Sequence, residues 1–140
     1  MRQIALTAII AAPLLLAGCG EVESKPVPLT EKQQMRLDKE LAGRVAGEPR
    51  NCISGHGNDG LVRISDSQLL YKPGGRTVYL NTLRSSCPGL ARDNDIIVTQ
   101  SYSGQLCSGD LVKLVDRMSG MPGPFCSLGE FVPYSKPKKG

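Results

Sequence analysis

Polar and apolar positions divide the chain into three regimes. Ile4 to Leu16 is an apolar block interrupted only by Thr7 and Pro13. From Thr30 the spacing is helical: Leu37, Leu41 and Val45 recur every four residues and form a narrow stripe, as expected of a helix packed on a sheet rather than buried all round. Thr30 with Gln33 reads as a capping box, Glu31 suits the positive end of the helix dipole, Glu40 and Arg44 are placed to pair across one turn, and Gly47 with Pro49 closes the element. This predicts a helix over 30–47. Beyond Arg50 the pattern shortens into strands separated by Gly and Pro. Leu61–Ser65, Gln68–Lys72, Arg76–Leu80, Asp95–Tyr102, Leu111–Asp116 and Gly129–Tyr134 are the candidates, with Pro73-Gly74-Gly75 as a hairpin turn. On the third of these strands Val78 and Leu80 point one way and Thr77 and Tyr79 the other. The fold class expected is mainly β: a small antiparallel barrel or strongly curved sheet of five to six strands with one N-terminal helix.

The first block is too short to span a bilayer, which takes about 20 apolar residues. With Arg2 before it and Leu16-Ala17-Gly18-Cys19 after it, it reads as a secretory signal peptide. The four residues resemble the lipobox of bacterial lipoproteins, whose cysteine receives a diacylglyceryl group. The expectation is a signal peptide over 1–18, lipidation of Cys19, and a tether over 19–29 that is rich in Pro and mixed charge. Two or more acyl chains on one residue anchor stably. The chain is therefore expected in the cell envelope, held by its lipid, and by the absence of Asp at Gly20 in the outer membrane facing the periplasm.

Composition narrows the rest. Without the signal peptide, 122 residues remain with a net charge of +3, sixteen Lys and Arg against thirteen Asp and Glu. That length suits one domain, here 48–140 with its basic tail, and the charge is too dispersed to argue for nucleic acid. Lys136, Lys138 and Lys139 cluster at the end of the chain, either as a solvated tail or in contact with anionic head groups. With no Trp, two Phe and four Tyr, the core is expected to be aliphatic and thin, the situation in which exported domains add disulfides. Cys52, Cys87, Cys107 and Cys126 make two bridges. Loop closure favours Cys52 with Cys107 and Cys87 with Cys126. A sequential pairing of Cys52 with Cys87 and Cys107 with Cys126 stays open, because the entropy difference grows only with the logarithm of loop length.

Catalytic and metal motifs are weak throughout. Gly55 to Gly60 matches G-x-G-x-x-G, but a strand pattern follows it where a dinucleotide site needs a helix. Ser54, His56 and Asp59 sit on one Gly-rich loop, a poor scaffold for a directed triad. The cysteines are 35, 20 and 19 residues apart, unlike the close pairs of zinc sites. Asp93-Asn94-Asp95 offers hard oxygens without the Gly and distal Glu of a calcium loop. No metal and no cofactor is expected, and no enzymatic activity.

Several segments, taken together, carry a resemblance: Cys52-Ile53, Tyr79-Leu80-Asn81, Cys87-Pro88-Gly89-Leu90, Leu106-Cys107-Ser108-Gly109-Asp110 and Cys126-Ser127-Leu128-Gly129-Glu130-Phe131. In this order they resemble a family of small exported proteins of Gram-negative bacteria catalogued as a domain of unknown function, over about residues 50 to 134. The resemblance implies a compact β domain with four matching cysteines and no established activity. The expected role is a non-catalytic envelope module that binds another envelope component, with an envelope protein as the expected partner, or supports assembly as a structural module. The alternative is an inhibitor of an exported cell-wall hydrolase, with Ser119–Pro124 as a protruding loop; an enzyme of unrecognised type is the third reading.

Overall fold

A computed structural model describes residues 27–54 and 60–138. The expected signal peptide, Cys19 and the loop carrying His56 and Asp59 lie outside the described residues. Helix α1 (Glu31–Leu41) is followed by β1 (Val45–Ala46), β2 (Cys52–Ile53), β3 (Leu61–Ser65), β4 (Gln68–Tyr71), β5 (Thr77–Thr82), β6 (Asp95–Gln100), β7 (Leu106–Cys107), β8 (Leu111–Asp116), β9 (Pro122–Ser127) and β10 (Phe131–Ser135).

The helix starts where the capping box places it. The Thr30 side chain accepts from the Gln33 amide, and the Gln33 side chain accepts from the Thr30 amide at 2.9 Å. It ends earlier than the apolar spacing suggests. Gly43 takes φ +68, a conformation L side chains rarely adopt, and Arg44 donates its amide to the Leu41 carbonyl at 3.0 Å. Val45 is therefore no part of the helical stripe: it pairs with Ser135 in β1. Two residues of strand at the open edge of β10 satisfy backbone groups that an extension of the helix would leave exposed. The expected Glu40–Arg44 pair gives way as well. Glu40 accepts from Lys72 Nζ at 2.9 Å, and the Arg44 guanidinium donates to the Arg76 carbonyl.

The strands form antiparallel sheets of five (β1-β10-β5-β4-β3), three (β6-β8-β9) and two (β2-β7) strands. None closes into a barrel. Alternation along the five-stranded sheet buries both of its faces. Leu37 of α1 covers Ile64, Leu70, Val78 and Leu80 on one side. Leu69, Tyr71 and Phe131 face the other way into the main core, shared with Ile97, Val112 and Leu114 of the three-stranded sheet and with Ile53 and Leu106 of the two-stranded one. Tyr79, opposite in sense to Val78 and Leu80, packs on that main core. Tyr71 lies edge-on to Phe131, with centroids 5.7 Å apart, and burial pushes its phenol pKa well above the ordinary range.

Pro122–Ser127 departs most from the sequence reading. Of the Ser119–Pro124 stretch expected to protrude as a Gly/Pro loop, Pro122 to Pro124 instead open strand β9. Proline has no N–H to give a ladder, so it is confined to edges, and β9 is the outer strand of its sheet. The register shifts between Lys113 and Val115 as β9 passes β8. Gly123 there lies so close to Leu114 that a Cβ would stand 3.3 Å from the Leu114 Cβ and carbonyl oxygen.

Two bridges tie the sheets. Cys52 opposes Cys107 in the β2–β7 register, with Cα atoms 4.0 Å apart. Cys87 bonds Cys126 with Cα atoms 5.7 Å apart, inside the main core. These are the pairs that loop closure favours over the sequential alternative. Their loops overlap in sequence, so residues 52 to 126 form one covalently linked network.

Candidate functional site

The inward residues of the three-stranded sheet are Ile97, Val112, Leu114 and Cys126, all buried. Alternation must then send Ile96, Val98, Lys113, Val115 and Phe125 outward. The register puts them in two rows across the sheet: Val98 beside Lys113 beside Phe125, and Ile96 beside Val115 beside Pro122. Lys113 and Val115 are half-buried on this face, and Ile96, Val98 and Phe125 are exposed. Ile96 and Val98 are each 43% exposed and Phe125 is 58% exposed. Lys113 Nζ sits 5.3 Å from the centroid of the Phe125 ring, a distance at which cation and ring attract and the ring is held in place.

The β8–β9 turn extends this face. The Asp116 carboxylate accepts from the Met118 amide at 3.0 Å, the Ser119 amide at 2.7 Å and the Ser119 hydroxyl at 2.8 Å. Those bonds from Ser119 and Met118 hold its pKa below the usual carboxylate range. Gly120 closes the turn with φ +69 and donates to the Asp116 carbonyl at 2.9 Å. The turn holds Met118 out in solvent at 94% exposure, with Met121 also exposed. Beside it a groove of about 420 Å³ runs past Pro88, Arg92, Asp95, Asp116, Met121 and Pro124. Methionine is flexible and polarizable, which suits irregular contact with a partner. A row of apolar side chains on a rigid sheet, edged by methionines and a groove with both charge signs, has the make-up of a protein-contact surface.

The residues singled out in the sequence fall elsewhere. Cys52 and Cys107 form a bridge at the surface, while Cys87 and Cys126 are sealed in the core. Ser54 Oγ accepts from Gln105 Nε2 at 3.4 Å. In the Asp93-Asn94-Asp95 segment, Asp95 opens β6 and its carbonyl accepts from the Arg63 guanidinium. Among the described residues no three His, Cys, Asp or Glu side chains gather as a metal site, and no helix is long and apolar enough to cross a membrane. One signal for the exposed face was present in the sequence: Ile96-Ile97-Val98 is apolar at three consecutive positions, so a strand there has apolar residues on both faces.

The segments that carry the family resemblance converge on the interior instead. Asn81, fully buried, donates through Nδ2 to the Gly129 carbonyl at 2.8 Å and accepts the Gly129 amide at Oδ1 at 3.1 Å. Leu90, Leu128 and Phe131 are also fully buried, and Asp110 accepts from the Cys107 amide at 2.8 Å. No curated protein and no solved structure matches the chain. A family profile does, over residues 1–133; it takes in the segments expected as leader and tether and the helix, well beyond the stretch from about residue 50 to which the motifs confine the resemblance. The chain belongs to the family described as a family of unknown function, DUF6491.

Proposed function

We propose that the protein is a lipid-anchored, non-catalytic module of the cell envelope, in the outer membrane facing the periplasm, which binds another envelope protein through the outer face of its three-stranded sheet. The observation that carries the reading is that face: Ile96, Val98 and Phe125 stand exposed on the sheet, beside the half-buried Val115. Burying one such side chain at an interface contributes about 1.5–3 kcal/mol, so a few of them form a usable contact. The test is affinity capture from envelope extract by the full chain and by Phe125→Glu. Capture of a defined protein by the wild type, reduced at least tenfold by Phe125→Glu with the circular dichroism unchanged, supports the surface. Equal capture by both removes it.

The β8–β9 turn favours a second reading, an inhibitor of an exported cell-wall hydrolase. A turn fixed by Asp116 and tipped by Met118 is suited to entering a cleft. Inhibition of a lysozyme-type hydrolase by the pure chain, lost on shortening the turn between Asp116 and Met121, decides for it.

The anchor has its own test. Cys19→Ser is expected to leave an uncleaved precursor that takes up no radioactive palmitate, while the parent chain labels and stays with the membrane. Labelling of the variant would refute the lipobox.

A further inference from the structure

The end of the molecule opposite the start of α1 collects cations from three separate segments. Lys39 lies in the last turn of the helix, with Arg44 just past its end. Arg76 lies at the β4–β5 turn, and Lys136 and Lys138 follow β10. Backbone contacts hold them together: Arg44 donates to the Arg76 carbonyl, Arg76 donates to the carbonyls of Lys136 (3.2 Å) and Pro137, and the Lys136 amide donates to the Arg76 carbonyl at 3.2 Å. The nearby carboxylate, Glu40, is engaged by Lys72 at 2.9 Å. Among the described residues none of the five cations has an ion-pair partner, and Arg76, Lys136 and Lys138 are exposed.

We propose that this basic end rests on the anionic phospholipid surface of the membrane that holds the chain. The length of the N-terminal segment permits it. The eleven residues from Cys19 to Leu29 can reach up to about 36 Å, whereas the helix separating the tether from the basic end is only about 16 Å long. Four to eight clustered Lys and Arg beside a membrane attachment form a binding site for anionic lipid; Arg44, Arg76 and Lys136 are joined by these contacts and Lys138 follows two residues on, which makes four. The inference rests on the lipid anchor only for bringing the surface near; the contact itself is electrostatic.

Hydrogen exchange of the full lipidated chain in vesicles tests it. Amides of 74–77 and 135–138 are expected to exchange severalfold more slowly in phosphatidylglycerol–phosphatidylcholine vesicles than in pure phosphatidylcholine. The difference should vanish at high salt and in the double variant Lys136→Glu, Lys138→Glu, whose side chains make no fold contact described above. Flotation of each sample reports the anchor separately. A chain that fails to float with phosphatidylcholine but floats with the anionic vesicles refutes the anchor and supports the basic contact. Equal exchange in both lipids overturns the proposal, as does protection by soluble polyglutamate where anionic vesicles give none.

Discussion

Gly129→Ala is expected to lower stability by about 3–5 kcal/mol, the range of severe single substitutions, and so to shift the urea midpoint far to the left. Gly129 is not in a left-handed conformation; the demand on it is spatial. A Cβ at this position would stand 2.0 Å from the Thr82 carbonyl oxygen and 3.2 Å from its carbon. Both are backbone atoms of β5, so no side-chain rotation relieves the overlap. Moving the backbone instead pulls Gly129 off Asn81, whose side chain bonds its amide, its carbonyl and the Glu130 carbonyl. Asn81 has no access to water, and a buried amide left unpaired costs about 1–3 kcal/mol more. A domain of this length holds roughly 5–15 kcal/mol in total, so the variant should be partly unfolded at 37 °C. A midpoint within error of wild type would show that the 81–129 clamp is not as described.

The double variant Cys87→Ala, Cys126→Ala should cost at least as much. Loop entropy for residues 39 apart comes to about 4 kcal/mol. The surface bridge, with 55 residues between its ends, gives nearly the same figure, about 4 kcal/mol. Packing separates them. The inner pair lies among Leu90, Leu128 and Phe131 in the main core, so alanines leave a cavity that costs extra. Cys52 is exposed, and its removal opens no cavity. Denaturation of the two double variants, alongside non-reducing peptide maps of the parent, should show linked peptides for Cys52–Cys107 and Cys87–Cys126 and the larger loss for the inner pair. The reverse order of stability would mean that burial at Cys87 contributes little.

Local chemistry was readable where it acts locally. Thr30 and Gln33 mark the helix start because the capping bonds span three residues, and Pro73-Gly74-Gly75 marks the hairpin for the same reason. Leu41 packs on the core as its spacing from Leu37 predicts, but Val45 misled because its four-residue spacing from Leu41 does not record that Gly43 turns the chain between them. Pro122 and Pro124 misled because proline is read as a strand breaker, and only the sheet order tells that β9 lies at an edge where a missing N–H costs nothing. The exposed face was the least legible part. Ile96 and Phe125 are 29 residues apart, and their exposure is set by which side of β8 the five-stranded sheet occupies. The family motifs could not reveal it, since Asn81, Leu90, Leu128 and Phe131 all build the interior.

The overlapping bridges also determine how the protein responds to mechanical load. The covalent network begins at Cys52, whereas α1 and β1 lie before it; β1 is held by two residue pairs to β10, and Gly47 and Arg50 add bonds to Pro133 and Phe131. A pull applied through an N-terminal anchor is borne first by the helix and this short clasp, and it stops at the first sulfur. Tension would therefore peel residues up to 51 from the body and uncover Ile64, Leu70, Val78 and Leu80, while the sheet bearing Phe125 keeps its shape. Under such a load residues 31–51 would act as a mechanical fuse, with the bridged remainder as the head beyond it.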